Sequence, residues 1–205
     1  CKISGGNCGR VRSLRVMDVK AVLTKADEMF ALDRIEDAGR YLEEKAKEAL
    51  DGDEDSAALS ILNELTGYYR HSGRMNDAWR TAEQMLELVD KMNLWDTIDG
   101  ATVLLNIATI YKEAKQFEKA MDLYLEVQEI YQNENIYDVR YLGLMNNMCV
   151  TSMQEKNYRN AWIYGNRARM LLKELDGELA GYEREIGIIT ENIEAAGRYR
   201  EEVGA

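Results

Sequence analysis

The sequence predicts an all-α protein, an α-solenoid of about four antiparallel helix hairpins with a terminal capping helix. One observation is composition: the 205 residues contain no proline, and 46% are hydrophobic and 31% charged, which favours long uninterrupted helices. Another is a phrase of one apolar residue, two polar residues and an alanine, which recurs after 40, 42 and 41 residues. Self-similarity at a fixed period indicates a stack of like units. The alanines are Ala38, Ala78, Ala120 and Ala161.

The N-terminal residues differ in composition from the rest and are expected to form a disordered basic leader over residues 1–16. They carry four bases and no acid, which gives +4 and leaves −15 for residues 17–205. A charged segment without apolar periodicity cannot bury a core. One interpretation is an extension ahead of a true start at Met17; the other is a lipid anchor on Cys1. The bases are Lys2, Arg10, Arg12 and Arg15.

Four hairpins are expected over residues 17–52, 53–94, 95–136 and 137–177. In each, the alanine opens the second helix and lets the two helices approach closely. An apolar residue three positions before the alanine continues a stripe at i, i+3, i+7 spacing on the first helix, and this stripe must be buried. Its members are Ile35, Leu62, Leu65, Tyr69, Met75, Leu104, Ile107, Tyr111, Phe117, Met145, Met148 and Tyr158.

The two ends of the stack depart from this pattern. Lys25 stands where a core leucine is expected, which predicts that the first unit is an exposed cap. A last amphipathic helix is expected over residues 178–200, either as a natural cap or as the start of a fifth unit in a longer protein. Its apolar residues are Leu179, Tyr182, Ile186, Ile189 and Ile193. Between units the expected turn formers are Asp51-Gly52, Asn93, Asn133 and Asp176-Gly177.

Residues 65–79 and 106–120 resemble tetratricopeptide repeats (TPRs) in their Leu, Gly, Tyr and Ala positions. The longer repeats of about 42 residues, found in kinesin light chain and in bacterial peptide-sensing receptors, match the observed period. The resemblance covers about residues 17–200. It implies that the first helix of each unit lines a groove that binds a protein or a peptide.

The groove positions predicted from the resemblance carry amides at one level of three successive units. An asparagine can donate to a peptide carbonyl and accept from a peptide N–H. The resemblance implies that these amides hold a peptide backbone while neighbouring residues select side chains. The alternative is that they bond to the neighbouring unit or to water. The candidate residues are Asn63, Gly67, Arg70, Asn106, Thr109, Lys112, Asn146, Asn147 and Val150.

Several other classes of function are disfavoured by the sequence. The net charge of −11 argues against nucleic acid as a partner. His71 is the only histidine and no metal or phosphate-loop motif occurs, so no catalytic residue, metal or cofactor is expected. No apolar run approaches the ~20 residues needed to cross a membrane. Three cysteines without a pairing pattern suggest a reducing, cytoplasmic setting.

The sequence therefore predicts a non-enzymatic scaffold that holds an extended peptide in its groove. A second hypothesis is a peptide-sensing regulatory module that acts through another protein. A third is a structural protein that self-associates into a homodimer through the ends of the stack. Trp79 and Trp162 directly follow the repeat alanine, and either pack between units or anchor a partner on the opposite face.

Overall fold

The structure, a computed structural model, describes residues 16–175 and 179–203, with side chains as far as Tyr199. This part of the chain contains nine helices and no strand. The predicted leader, with the proposed anchor at Cys1, and the turn at Asp176-Gly177 lie outside the described residues. The helices are α1 Val19–Ala31, α2 Ile35–Asp51, α3 Asp55–His71, α4 Met75–Met92, α5 Ile98–Glu113, α6 Phe117–Asn133, α7 Val139–Gln154, α8 Tyr158–Glu174 and α9 Glu183–Val203.

The chain divides into two compact units, one ending at Ile61 and one beginning at Leu62. In the first unit α1 packs against α2. In the second unit α5 packs against α6 and α7 against α8, and α9 covers both α7 and α8. The architecture is the all-α, α-solenoid class of paired helices that the sequence predicts.

The four repeat alanines lie at the contacts between helices. Ala38, Ala78, Ala120 and Ala161 are each 0% exposed, near the start of α2, α4, α6 and α8. A methyl group at these positions allows the close approach that a larger side chain would prevent. The predicted role of the alanines in the core is confirmed.

The turns inside the hairpins repeat one backbone conformation. The residue five positions before each repeat alanine has a positive φ: 59° at Asp33, 73° at Gly73, 59° at Lys115 and 65° at Lys156. The next residue donates its N–H to a carbonyl five residues back, as Arg74 does to Tyr69 at 2.7 Å and Gln116 to Tyr111 at 2.9 Å. This Schellman geometry satisfies the last carbonyls of the first helix without glycine at every turn.

The turns between hairpins use the same conformation, although not at every predicted residue. The left-handed residues are Asp53, Asn93 and Asn135. Asn93 was predicted as a turn former, whereas Asp51 is still in α2 and Asn133 is the last residue of α6. The capping bonds at these two helix ends are donated by the three residues that follow, 52–54 and 134–136.

Burial at the two ends differs from the predicted stripe. Ile35 is 46% exposed rather than buried. Lys25 is exposed as predicted, and its ammonium lies 4.6 Å from the centroid of the Tyr41 ring. At the other end Leu179 and Tyr182 precede α9 instead of belonging to it, while Ile189 and Ile193 are each 5% exposed and form its packed face.

Candidate functional site: the first-helix face

The predicted amides lie on α5, on α7 and on the part of α3 from Leu62 onward, and α9 is the next first helix after them. We call the surface that these residues form the first-helix face. Asn106 on α5 donates from Nδ2 to Oδ1 of Asn63 on α3. Both residues are half-buried. The amides at this level therefore connect neighbouring hairpins directly, as the alternative interpretation of the sequence expected.

A second amide pair connects α7 and α9. Asn192 donates from Nδ2 to Oδ1 of Asn146 at 2.9 Å, so the direction of donation is the same as in the first pair. Asn192 was not among the predicted residues. It lies 46 residues after its partner, whereas 43 residues separate Asn63 from Asn106. A search for amides at the repeat spacing plus the longer α8–α9 connection would have found it.

An ion pair spans the same helices as the first amide pair. Arg70 donates to Oε1 of Glu113 from Nε at 3.1 Å and from Nη2 at 2.8 Å. The two partners are again 43 residues apart, seven residues beyond Asn63 and Asn106. Seven residues correspond to two helical turns, or about 10.5 Å along the helix. Glu113 was missed in the sequence, although the offset of 43 residues from Arg70 could have indicated it.

Lys112 adds a second positive charge next to this ion pair. The side chain is half-buried. Burial lowers the pKa of the Lys112 ammonium from its ordinary value of 10.5, and the positive charge of Arg70 lowers it further, while Glu113 opposes the shift. Two cations thus face one carboxylate at this end of the face.

Gly67 lies between the amide pair and the ion pair on the same side of α3, four residues after Asn63 and three before Arg70. The space in front of it is open, because a Cβ at Gly67 would meet no neighbouring helix or side chain within 4 Å. Gly67 therefore leaves a notch in the first-helix face between two polar connections.

The remaining predicted residues differ in their access to this face. Thr109 is only 7% exposed, and its hydroxyl donates to the Leu105 carbonyl at 2.9 Å and lies 3.4 Å from the Tyr124 hydroxyl. Thr109 therefore supports the face from below. Asn147 directly follows Asn146 on α7 and Val150 lies four residues after Asn146, and both are half-buried.

Trp79 supports packing between hairpins. Its ring meets the Tyr111 ring edge-on, with centroids 4.8 Å apart and planes at 71°. Such a geometry favours aromatic attraction. Because Trp79 is on α4 and Tyr111 on α5, the contact joins two successive hairpins. Trp162 on α8 is half-buried.

The described cysteine and histidine, Cys149 and His71, both make contacts within the fold. Cys149 is 1% exposed, and burial raises the pKa of its thiol to about 11. His71 is exposed at the end of α3, with Nδ1 2.8 Å from the Gly67 carbonyl oxygen. Within residues 16–175 and 179–203, histidine, cysteine and carboxylate side chains form no group of three suited to a metal ion.

In the part of the chain that the structure describes, no helix is both long enough and apolar enough to cross a lipid bilayer.

Residues 11–173 match the family model described as "SNAP: Soluble NSF attachment protein, SNAP". No curated protein matches the chain at a significant level. The family model covers most of the chain, including the whole hairpin region through α7 and nearly all of α8.

Solved structures with the same fold are TPR-like. BtubC (BKLC) from P. vanneervenii is 20% identical, with 91% of this chain and 81% of that chain covered and a TM-score of 0.68. A structure of nearly identical TPR-like repeats from a Podosopora anserina putative kinesin light chain is 14% identical. The match covers 87% of this chain and 94% of that chain, with a TM-score of 0.66. For a single-residue variant of that protein, also 14% identical, the match covers 91% of this chain and 96% of that chain, with a TM-score of 0.67. The predicted resemblance to TPR proteins of the kinesin light chain kind is confirmed at the level of the fold.

Proposed function

Because the chain belongs to the SNAP family, the soluble NSF attachment proteins, we propose that it is a non-enzymatic adaptor that holds a partner protein by an extended segment. The segment lies along the first-helix face. The family name describes attachment of NSF, and an attachment role requires a surface that binds another protein. The TPR-like fold of the hairpins supports the same role.

The observation that carries the proposal is the bonding capacity left over in the amide pair. An asparagine amide has two N–H donors and an oxygen with two lone pairs. In the pair, Asn106 uses one N–H and Asn63 uses one lone pair. Asn63 retains both N–H groups and Asn106 retains its oxygen, so the pair presents a donor and an acceptor side by side. An extended peptide backbone offers the complementary carbonyl and N–H.

The cross-hairpin bond also fixes the orientation of both amides before a ligand arrives. A polar group that is already held in place loses less conformational entropy on binding than a free side chain does. The pair Asn146–Asn192 repeats the arrangement on α7 and α9, and Asn147 adds a further amide on α7. The alternative interpretation, a bond to the neighbouring unit, is thus compatible with peptide binding.

The protein acts without a cofactor in this proposal, and its partner is a protein or peptide rather than nucleic acid. The free, buried thiol of Cys149 fits a reducing compartment such as the cytoplasm.

Binding can be tested with a displayed library of random twelve-residue peptides selected on the intact chain. Affinities of the selected peptides are then measured by fluorescence anisotropy. We expect the double variant Asn63→Ala/Asn106→Ala to weaken binding about tenfold or more, because two backbone hydrogen bonds are lost. The matched control is Asn76→Ala, since Asn76 is an exposed asparagine on α4. Equal affinities for the double variant and the control would contradict the proposal.

Self-association is a separate hypothesis with its own measurement. Light scattering on the isolated chain should give the monomer mass of 23.5 kDa if the adaptor proposal is right and the ends of the stack do not pair. A dimer mass would favour the structural hypothesis.

A further inference from the structure

We propose that the segment bound on the first-helix face carries an acidic side chain, whose carboxylate binds Lys112 and Arg70 while a neighbouring side chain fills the notch at Gly67. This inference rests on the proposed function and specifies the chemistry of its ligand. Three observations support it: the distance between the amide pair and the ion pair, the open space at Gly67 between them, and the excess of positive charge beside Glu113.

The distance between the amide pair and the ion pair determines how many ligand residues lie between the two contacts. The amide pair Asn63–Asn106 and the ion pair Arg70–Glu113 are about 10.5 Å apart along the helix. An extended peptide advances about 3.3 Å per residue, so three residues span the distance. A backbone group held by the amides therefore places a side chain about three residues away at the two cations. The side chain between them lies over Gly67.

The charge at this end is not balanced within the site. Arg70 uses its Nε and Nη2 groups on a single oxygen of Glu113, which leaves further guanidinium N–H groups available, since arginine has five. Lys112 makes no hydrogen bond or ion pair with a described residue. The lowered pKa of Lys112 has burial as its main cause, and a partly desolvated ammonium gains more from a carboxylate than a fully hydrated one does.

The second amide pair lacks the glycine and the arginine that α3 carries beside the first pair. Four residues after Asn146 stands Val150, where the first pair has Gly67, and seven residues after it stands Met153, where the first pair has Arg70. The pair Asn146–Asn192 can therefore hold a backbone but offers neither a glycine notch nor a cation on α7. On α9 the position equivalent to Lys112 is Arg198, which is exposed and lies 3.9 Å from the Glu194 carboxylate. Selectivity for an acidic side chain belongs to the α3–α5 end of the face.

The test uses the same random peptide library and the intact chain. We expect selected peptides to share an aspartate or glutamate at one fixed position. Replacing that residue in the peptide by its amide should weaken binding at least tenfold, and Lys112→Gln should have a similar effect. The control Lys119→Gln, an exposed lysine on α6, should leave the affinity unchanged.

The notch is tested with Gly67→Val, which should weaken the same peptides at least tenfold by filling the open space. Gly187→Val is the matched control, because Gly187 is an exposed helical glycine on α9 that also faces open space. Gly67→Ala favours the helix and should melt no lower than the parent, which checks that the position tolerates a side chain.

The outcomes separate this inference from the proposed function. If peptides bind and depend on Asn63 and Asn106, yet show no acidic preference and tolerate Lys112→Gln, the acidic ligand is wrong and the adaptor proposal stands. If Gly67→Val binds the peptides as tightly as the parent does, no ligand side chain fills the notch at Gly67 and that part of the inference is wrong. If no peptide is enriched, both proposals are overturned.

Discussion

Asn106 donates to Asn63 across two hairpins, so the contribution of this pair to stability can be measured without any ligand. We expect a double-mutant cycle of Asn63→Ala and Asn106→Ala to give a coupling free energy of about 0.5–1.5 kcal/mol in urea unfolding, the usual net value of one hydrogen bond. The cycle of Asn63 with Asn147, which lies on α7, serves as the control and should show almost none. A coupling no larger than that control would mean that the pair contributes nothing to the fold.

Cys149 gives a second prediction for a single residue. Its raised pKa of about 11, against an ordinary value of 9.0, leaves a thiolate fraction about a hundredfold smaller at neutral pH. In a variant with Cys1→Ser and Cys8→Ser, we expect reaction with Ellman's reagent to be at least a hundredfold slower for the folded chain than in guanidinium. Rapid modification of the folded chain would show that α7 and α8 separate readily.

The physical reason for this protection is a close contact between helices. A Cβ at Gly165 on α8 would approach Sγ of Cys149 to 3.3 Å, so the glycine makes room for the sulfur. Ala196 of α9 is 1% exposed at the same contact. The thiol is a packing group in this position.

At the level of structural elements, the backbone conformation of the hairpin turns leads to a stability prediction that the sequence alone did not provide. Lys115 and Lys156 hold positive φ angles at exposed positions, a conformation in which a side chain is strained and glycine is not. We expect Lys115→Gly and Lys156→Gly each to raise the free energy of unfolding by about 0.5–1 kcal/mol.

The reverse change, Gly73→Ala, should lower the free energy of unfolding by about 1 kcal/mol, because Gly73 occupies the equivalent turn with a φ of 73°. All three variants are compared by urea unfolding. A destabilising Lys→Gly change would show that the lysine side chains stabilise these turns by more than the backbone strain.

The hairpins themselves were predictable from the sequence because a buried alanine tolerates little variation in size. Ala38, Ala78, Ala120 and Ala161 hold the period even where their neighbours change. The left-handed residues were not recognised, because Asp33, Lys115 and Lys156 have little in common chemically. Their constant distance of five residues from the alanine was the available signal.

The amide pairs were predictable only in part, for a geometrical reason. Asn63 and Asn106 lie at one repeat level and were identified as candidates together. Asn192 was missed because the connection from α8 to α9 is longer than the others, which shifts the level of α9 relative to the alanine count. The burial of Thr109 and the exposure of Ile35 depend on how neighbouring helices pack, which the hydrophobic periodicity of a single helix does not predict.

For the molecule as a whole, the excess of acidic residues is the main electrostatic fact. With a net charge of −11, the excess acidic residues repel one another in the folded state. Salt weakens this repulsion, with a screening length of about 10 Å at 0.1 M. We expect the melting temperature to rise by a few degrees between about 0.02 and 0.3 M sodium chloride, measured by circular dichroism. A fall over that range would mean that ion pairs such as Arg70–Glu113 outweigh the general repulsion.

The recurring turn has a consequence for how such a chain can change in length. Residues 74–115 begin directly after the left-handed turn residue inside one hairpin, Gly73, and end on the equivalent residue of the following hairpin, Lys115. A duplicated copy of this segment, inserted after Lys115, would join to its neighbours through backbone conformations that already exist in the protein. Gain or loss of a whole period therefore requires no new loop, whereas insertion of a partial period would break the turn. Recombination at these turns is thus a route by which the number of hairpins can evolve.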